Sequence, residues 1–435
     1  MAHHRILIVL KYVAFAMFAV TYTANASQAV STIDIHKIKV PDLMTGPYSY
    51  FVQPYNYYYF HHMDKLNFKF DWVRRSGAIY PLKKPTGSFT TNYKYRNHTY
   101  TLGQYMKRND VTGFLILKNN QIIYERYFHG ANKDSRFLSN SVSKSMTSTL
   151  IGIAVEEDKI SSVDDQITKY LPELNDSGFN RVTLKDALVM ATGVKLSYDP
   201  YDPSTHRFNG AVLTGIPSFT DLLKETKANP KIKPGTIFDY ENENTEALGL
   251  VLEKAVGIPY NEYLQEKIWS KIGAQSDAFI YRAKAQRDQC AFGTLSATVR
   301  DYGRFGLMVM NGGTLNGKQI VGSDWIKAAT TPAKFEKPVD ENEGYGYQWW
   351  IPTNNSDHVF KALGIFGQII YINPTKHIVI VETSAWPKPE DNDRWTEASK
   401  VMDTIAAAVS SGTRAVLPQG TRSRFDDASG FQQDE

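Results

Sequence analysis

The sequence predicts an α+β fold in which both ends of the chain complete one antiparallel sheet and helices fill the middle. Two β-rich runs flank Asn119-Asn120 in "GFLILKNNQIIYERYF", which is a hairpin pattern. Helical periodicity then dominates the centre of the chain. Strand composition returns in "GYGYQWWI" and in "GQIIYINPTKHIVIVETS", where Asn373-Pro374 forms the turn. The order of strands, helices and strands is what favours a single sheet with a helical insertion.

The first residues have the composition of a secretory signal. Arg5 and Lys11 precede an apolar stretch over 12–20, and Ala24-Asn25-Ala26 supplies small residues for cleavage. The apolar stretch is short for a membrane span, so we expect a signal peptide over 1–26 rather than an uncleaved anchor, which is the alternative. The mature protein is then exported to the periplasm or secreted, with no stable membrane span.

The remaining chain divides by composition. Residues 27–100 form an aromatic-rich extension, which we expect to pack on the main domain at 101–410. Residues 411–435 are polar and turn-rich, and are predicted to be disordered. The net charge of +4 comes without any long Lys/Arg run, which argues against a nucleic-acid partner.

Four helices are predicted in the central part. In "SVSKSMTSTLIGIAVEEDKI" the apolar residues fall on one stripe, which should face the core. Ser139 and Asn140 are candidates for its N-cap. A second helix in "TLKDALVMATGVKL" should end at Gly193 and a third in "NTEALGLVLEKAVG" at Gly257, and "ATVRDYGRFGLMVMNGG" gives a fourth.

Ser141 and Lys144 are the first candidates for chemistry. Positions i and i+3 share a helix face, so the two side chains can meet. A serine hydroxyl becomes a good nucleophile only when a base takes its proton, and a lysine can do this if burial lowers its pKa. A Ser-x-x-Lys match is expected about once or twice by chance in a chain of this length, so the pair alone could be polar residues at a helix start.

A second pair strengthens the case. Tyr240 and Asn242 are separated by one residue just before the third helix. A tyrosine there can relay protons between serine and leaving group, and an asparagine can hydrogen-bond both the lysine and a substrate carbonyl.

Ser141-x-x-Lys144, Tyr240-x-Asn242 and a late glycine-containing strand resemble the three motifs of the penicillin-recognising serine hydrolases. This family includes class C β-lactamases, D-alanyl-D-alanine carboxypeptidases and related esterases. The similarity runs from about Thr101 to Ala408, and "ALGIFGQIIYINP" is most similar to the branch that contains 6-aminohexanoate-dimer hydrolase. It implies a β-lactamase/transpeptidase-like fold, with an antiparallel sheet flanked by helices, an all-helical subdomain, and the active site in the cleft between them.

The resemblance also implies roles for individual residues. Ser141 would be the acylated nucleophile, Lys144 its base, and Tyr240 the proton relay to the leaving group and water. Ile365, in "ALGIFGQ", would supply a second oxyanion N–H beside that of Ser141. Asn242 would bind substrate, and neither a metal nor an organic cofactor is implied.

The third motif departs from the family pattern. Members that bind β-lactams or peptide carboxylates usually have Lys-Thr-Gly or a His variant, whereas this chain has Ala362-Leu363-Gly364. Lys361 should point away from the cleft, because neighbouring side chains on a strand alternate between faces. Loss of that cation weakens carboxylate recognition by about 1.5–3 kcal/mol.

This departure favours an exported serine hydrolase acting on small esters or linear amides through an acyl-serine. A β-lactamase or D-alanyl-D-alanine carboxypeptidase acting on antibiotics or cell-wall peptides is one alternative. A penicillin-binding or sensor protein without turnover is another. The sequence does not determine the oligomeric state.

The loop "YDPYDPSTH" offers a further substrate contact. Tyr201 matches by position a tyrosine that closes over substrate in the 6-aminohexanoate-dimer branch. Tyr198 is nearly as well placed, and a tyrosine packed on the surface is an equally good interpretation.

Other residues are expected to be structural. Trp349 and Trp350 should line or support the cleft, with core packing favoured over substrate contact. Arg300 and Asp301 should form ion pairs at a helix start. Cys290, the single cysteine, should be a small packed residue.

Overall fold

The computed structural model describes residues 51–84, 89–199, 202 and 207–411. Its helices are α1 (Tyr55–Tyr59), α2 (Leu102–Arg108), α3 (Ser143–Glu156), α4 (Ile167–Tyr170), α5 (Leu184–Leu188), α6 (Arg207–Thr214), α7 (Phe219–Glu225), α8 (Asn242–Val256), α9 (Tyr260–Leu264), α10 (Val299–Met310), α11 (Ser323–Ala329) and α12 (Asn392–Ser410). Short 3-10 turns lie at Met63–Lys65, Asn140–Val142 and Pro172–Leu174, and a π-helical turn lies at Gln265–Trp269.

The strands form two larger sheets and three two-stranded sheets. They are β1 (Lys69–Val73), β2 (Asn92–Tyr95), β3 (His98–Thr101), β4 (Val111–Lys118), β5 (Gln121–Tyr127), β6 (Phe137–Leu138), β7 (Val194–Lys195), β8 (Lys227–Ala228), β9 (Ala278–Arg282), β10 (Leu295–Ala297), β11 (Thr314–Leu315), β12 (Lys318–Gln319), β13 (Glu343–Tyr345), β14 (Trp350–Pro352), β15 (Phe360–Gly364), β16 (Gln368–Asn373) and β17 (Ile378–Ser384).

The main sheet joins both ends of the chain, as predicted. Its seven strands run in the order β13-β14-β15-β16-β17-β4-β5, and all neighbouring pairs are antiparallel. The predicted hairpin at Asn119-Asn120 is confirmed, and Asn119 has φ 53°, a left-handed conformation that asparagine tolerates. The α+β fold class is therefore confirmed.

Both faces of the main sheet are covered by helices. Leu115 and Val379 belong to the core shared with α10 and the helical layer. Phe114 and Ile380, their immediate neighbours on the strands, belong to a second core against the C-terminal helix α12. Burying one such side chain contributes about 1.5–3 kcal/mol, so the near-continuous apolar runs of β4 and β17 hold the layers together.

Helix α3 is buried more completely than its apolar stripe predicts. Every residue from Ser143 to Ala154 is buried, including five serines and threonines. Ser145 donates to the Gln348 carbonyl at 2.7 Å and Thr147 to the Ala291 carbonyl at 2.7 Å, so the polar face is packed against protein rather than water. The prediction that the apolar stripe faces the core is confirmed, and the polar face is buried as well because this helix lies between the sheet and the other helices.

The predicted helix boundaries were correct at some positions and wrong at others. Gly257 closes α8 with φ 76°, as expected for a left-handed C-terminal glycine. The second predicted helix, however, ends at Leu188, before Gly193. The Ser139 hydroxyl does not cap a helix N–H but pairs with the Ser143 hydroxyl at 2.6 Å.

The described part of the N-terminal segment is built into the fold. Strand β1 pairs with β9 in a second sheet of order β1-β9-β10-β6. The side chain of Asn56 donates to the Trp386 carbonyl at 3.0 Å, and Phe51 stacks on Phe366 at 5.9 Å between ring centroids. The predicted signal peptide at 1–26 and nearly all of the predicted tail at 411–435 lie outside the described residues.

Within the described ranges, none of the helices combines the length and apolar content needed to cross a bilayer.

Candidate active site

Ser141 lies where the two sheets and the central helix meet. It is the middle residue of the 3-10 turn Asn140–Val142, between β6 and α3, and it is half-buried. The preceding Asn140 has φ 44°, a left-handed conformation that asparagine tolerates. The Asn140 amide is fixed by donating to the Ile365 carbonyl at 3.0 Å.

Lys144 lies in the first turn of α3 with its ammonium inside the protein. Its side chain is 1% exposed. Nζ is 2.8 Å from Ser141 Oγ, 2.7 Å from Asn242 Oδ1 and 3.2 Å from the Phe292 carbonyl oxygen. The neutral amine can keep the two N–H bonds to Asn242 and Phe292, which leaves its lone pair facing the Ser141 hydroxyl.

Burial lowers the pKa of Lys144 to about 7, while Cys290 and the carboxyls of Glu243 and Glu246 act in the opposite direction. An amine with this pKa is largely available as a base near neutral pH. Lys144 therefore has both the position and the protonation behaviour of a general base for Ser141.

Tyr240 completes the group just before α8. Its hydroxyl hydrogen-bonds Ser141, and the Lys144 nitrogen lies 5.0 Å from the centre of its ring. The ring stacks on Trp350 at 5.7 Å and meets Tyr345 edge-on at 6.1 Å. Burial is the main cause that raises the pKa of Tyr240, and the charge of Glu390 adds to it. The phenol is thus a proton donor at neutral pH.

The end of β15 approaches Ser141 very closely. A side chain at Gly364 would place its Cβ 2.6 Å from the Ser139 carbonyl oxygen and 3.0 Å from the Ser141 nitrogen. The next residue, Ile365, is half-buried, and its N–H makes no hydrogen bond to any residue of the described chain. The N–H groups of Ser141 and Ile365 are therefore available in the same small region, as an oxyanion site requires.

The third motif has the geometry that strand alternation predicts. Lys361 forms an ion pair with Glu343 on β13, while Ala362 belongs to the main core on the opposite face of β15. Leu363 packs with the core against α12, on the same side as Lys361. Lys361 consequently does not supply a cation to Ser141 and Lys144.

The tyrosine and tryptophan candidates lie at the edge of the site, outside it, or outside the described residues. Tyr201 lies outside the described residues. The Tyr198 hydroxyl donates to the Gly193 carbonyl, and the residue is 38% exposed. Trp349 is buried against Phe305 and Phe360. The ring of Trp350 stacks on the ring of Tyr240.

The expected structural pairs are confirmed. Arg300 binds Glu125 through two contacts of 2.7 Å, and Asp301 pairs with Arg304 at 2.9 Å. Cys290 is buried as a free thiol. Among the residues that the structure describes, no three His, Cys, Asp or Glu side chains are grouped as a metal site would require.

Sequence reasoning missed several residues that hold the site. Gln348 is buried, and its side chain donates to the Leu188 carbonyl at 2.8 Å and accepts from Thr245 at 2.7 Å, which connects α5 to α8. Asn209 accepts from Asn242 at 2.7 Å and so orients the amide that holds Lys144. A single sequence contains no pattern that identifies such a Gln or Asn as a site residue, because its hydrogen-bond partners lie far away along the chain.

Comparisons with known proteins identify related sequences. Residues 84–401 match the family model described as beta-lactamase. The 6-aminohexanoate-dimer hydrolase of Paenarthrobacter ureafaciens is 31% identical over 332 residues, which cover 70% of this chain and 82% of that relative.

Solved structures with the same fold include "Putative 6-aminohexanoate-dimer hydrolase from Bacillus anthracis", with a TM-score of 0.74, 26% identity and coverage of 85% of this chain and 97% of that chain. A class C beta-lactamase aligns with a TM-score of 0.53 and 17% identity, over 70% of this chain and 94% of that chain. The latter similarity concerns the fold alone.

Proposed function

Because the chain belongs to the beta-lactamase family of serine hydrolases, we propose that it cleaves small esters or linear amides through an acyl-enzyme on Ser141. The observation that carries the proposal is the contact of 2.8 Å between Ser141 Oγ and a buried lysine amine. A solvated polar pair would not leave lysine only 1% exposed. Burying an amine costs free energy, and lysines with pKa values lowered by burial are concentrated at functional sites.

The acylation step follows from the positions of the groups. Neutral Lys144 takes the proton of Ser141 as Oγ attacks the substrate carbonyl carbon. The carbonyl oxygen becomes negative and accepts from the N–H groups of Ser141 and Ile365. The Tyr240 phenol gives its proton to the leaving oxygen or nitrogen as the carbon–leaving group bond breaks.

Deacylation uses the same groups in reverse. The Tyr240 phenolate takes a proton from water, which attacks the acyl carbonyl and releases the acid from Ser141. The proton on Lys144 then returns to Ser141 Oγ, and the free enzyme is restored. The Asn242 amide holds Lys144 in place through both steps.

The third motif, which has no cation facing the site, favours particular substrates. With Lys361 paired to Glu343 on the far face of β15, a free carboxylate beside the reacting carbonyl gains no charge-assisted bond from that strand. Esters and linear amides need no such bond. A relative named as a hydrolase of the 6-aminohexanoate dimer, a linear amide, agrees with this choice.

We also propose that the protein is exported, with residues 1–26 as the signal and 101–410 as the hydrolase domain. The periplasm or the cell exterior would be its place of action. Cell-wall peptides are then accessible as substrates as well.

Stopped-flow hydrolysis tests the activity. The purified protein is mixed with p-nitrophenyl esters, the linear 6-aminohexanoate dimer and a chromogenic cephalosporin, beside Ser141→Ala and a control. The control is Ser148→Ala, a buried serine of the same helix whose hydroxyl has no partner among the described residues.

We expect an acyl-enzyme burst followed by sustained turnover of ester or linear amide, lost in Ser141→Ala and kept in Ser148→Ala. A burst without turnover would instead identify a binding or sensor protein, and faster cephalosporin turnover a β-lactamase. Equal rates for wild type and Ser141→Ala would remove Ser141 from the chemistry.

A further inference from the structure

The N-terminal segment, residues 51–66, contacts the two parts of the chain that carry the oxyanion donors. The Phe60 carbonyl accepts from the Leu138 N–H at 2.7 Å, and Leu138 ends the strand that leads to Ser141. The Phe60 ring meets the Phe366 ring edge-on at 5.2 Å between centroids, and Phe366 directly follows Ile365. Phe60 is 2% exposed. A buried residue outside the sequence motifs thus touches the neighbours of both N–H groups.

The turn that carries the Ile365 N–H has a backbone that needs support. Phe366 has φ 62°, a left-handed conformation that costs free energy for a bulky side chain. Gly367 follows with φ 83°, and a side chain there would place its Cβ 2.4 Å from the Trp386 ring. Strained backbone of this kind persists only where the surrounding structure holds it. The position of the Ile365 N–H therefore depends on what packs against Phe366.

Two aromatic rings of the N-terminal segment pack against Phe366. Phe51 stacks on Phe366 at 5.9 Å, and Phe51 and Phe60 contact each other edge-on at 5.7 Å. With the contact between Phe60 and Phe366, the three rings touch pairwise, and Ile365 packs against the same apolar core. Aromatic pairs in these geometries contribute more than their buried area alone. A change at Phe60 therefore reaches the Ile365 N–H through one ring and one peptide unit.

The N-terminal segment is anchored at places other than this turn. The Asn56 side chain donates to the Ala385 and Trp386 carbonyls at 3.3 and 3.0 Å, directly after β17. The Tyr57 hydroxyl donates to Asp110 Oδ1 at 2.5 Å, directly before β4. Helix α1 is thus fixed to the central strands of the main sheet, and Phe60 follows α1 without a gap. The segment can therefore hold the turn in place, because its own position does not depend on β15.

We propose that Phe60 is a positioning residue for the oxyanion site, which keeps the N–H groups of Ser141 and Ile365 at the distance that the reaction needs. This proposal rests on the proposed hydrolase function and assigns part of its site to the N-terminal segment. Phe60 acts through Leu138 and Phe366 and does not touch the reacting atoms. A misplacement of about 1 Å at a reacting centre costs about 10²-fold in rate, so loss of the ring lowers kcat rather than substrate binding.

A leucine substitution with a matched control tests the proposal. Phe60→Leu removes the ring but keeps an apolar side chain and the backbone bond to Leu138. The control is Phe279→Leu, because Phe279 is 1% exposed and belongs to the same apolar core, with its ring against Phe70 and Trp72. Truncating a buried ring lowers stability in either place, so activities are compared at a temperature where both variants are folded.

We expect kcat for a p-nitrophenyl ester to fall about 10- to 100-fold in Phe60→Leu, with KM within about threefold of wild type. Phe279→Leu should keep kcat within about threefold. Phe366→Leu removes the partner ring, and its combination with Phe60→Leu should cost less than the product of the two single effects, because both remove one contact. Equal kcat values for folded Phe60→Leu and Phe279→Leu would overturn the proposal and leave Phe60 as core packing alone.

A measurement without substrate separates this proposal from the hydrolase function. In protein labelled at the isoleucine nitrogens, the Ile365 amide resonance is identified by its loss in Ile365→Val. We expect this resonance to shift or broaden in Phe60→Leu and to stay in place in Phe279→Leu. If wild type hydrolyses no ester, the proposed function fails while the resonance still decides on Phe60. An Ile365 resonance that Phe60→Leu leaves unchanged would refute the positioning role.

Discussion

Gly364→Ala should lower the activity of the protein by moving backbone, without removing any side chain of the site. The added Cβ would lie 2.6 Å from the Ser139 carbonyl oxygen and 3.0 Å from the Ser141 nitrogen, and both are backbone atoms that cannot rotate away. Carbon–oxygen contacts normally begin at about 3.3 Å. Either β15 or the turn that carries Ser141 must therefore move by roughly 0.7 Å.

That movement separates the two N–H groups that receive the oxyanion. Loss of one such donor typically lowers kcat by about 10²–10³-fold, and a misplacement of about 1 Å costs about 10²-fold. We therefore expect kcat for a p-nitrophenyl ester to fall about 100-fold, which corresponds to about 2.7 kcal/mol of transition-state stabilisation.

Steady-state ester hydrolysis with thermal unfolding of the same sample measures this effect. The matched control is Gly103→Ala in α2, where the nearest atom to an added Cβ is 3.9 Å away and activity should not change. Activities are compared at a temperature where both variants are folded. If folded Gly364→Ala kept kcat within threefold of wild type, the close approach of β15 would not define the oxyanion site.

Three further predictions concern pH and processing. kcat/KM for an uncharged ester should rise as the pH increases through about 7, because Lys144 activates Ser141 only as the neutral amine and its pKa is lowered to about 7; a flat profile from pH 5 to 9 would contradict this. In the unfolded chain Lys144 has its ordinary pKa of 10.5, so between pH 7 and pH 10.5, approximately, only the unfolded state binds the proton. The contribution of Lys144 to the free energy of unfolding therefore rises with pH across this window and is absent below it. Denaturation experiments on Lys144→Met should show no such rise. N-terminal sequencing of the protein from the cell envelope should begin at Ser27, and a sequence beginning at Met1 would show an uncleaved anchor.

The sequence predicts those parts of the site that depend on local spacing. Ser141 and Lys144 meet because three residues of helical chain bring them to one face, and Lys361 points away because strand side chains alternate. Tyr240 was a candidate from its spacing to Asn242 and its place before a helix, and the family resemblance added Ile365. The fold class followed from the order of strand and helix patterns.

The supporting residues depend on tertiary packing and could not be predicted in the same way. Helix α3 has an apolar stripe, but its small hydroxyl side chains let it be enclosed on all sides. Gln348 and Asn209 act through partners on other elements. Strand β1 pairs with β9, and no periodicity in an aromatic-rich segment identifies a partner about two hundred residues later.

The topology of the main sheet also determines when the enzyme can begin to work. Strand β4 pairs with β17, which is more than half the chain away and is synthesised near the end. A growing chain therefore carries Ser141 and Lys144 long before β15–β17 can place the Ile365 amide beside them. Late closure of the sheet slows folding, because strands far apart in the chain can pair only after the entropy cost of closing the long intervening loop. For a protein that we expect to be threaded across a membrane before it folds, this delay keeps the nascent chain both translocation-competent and unable to hydrolyse esters in the compartment where it is made.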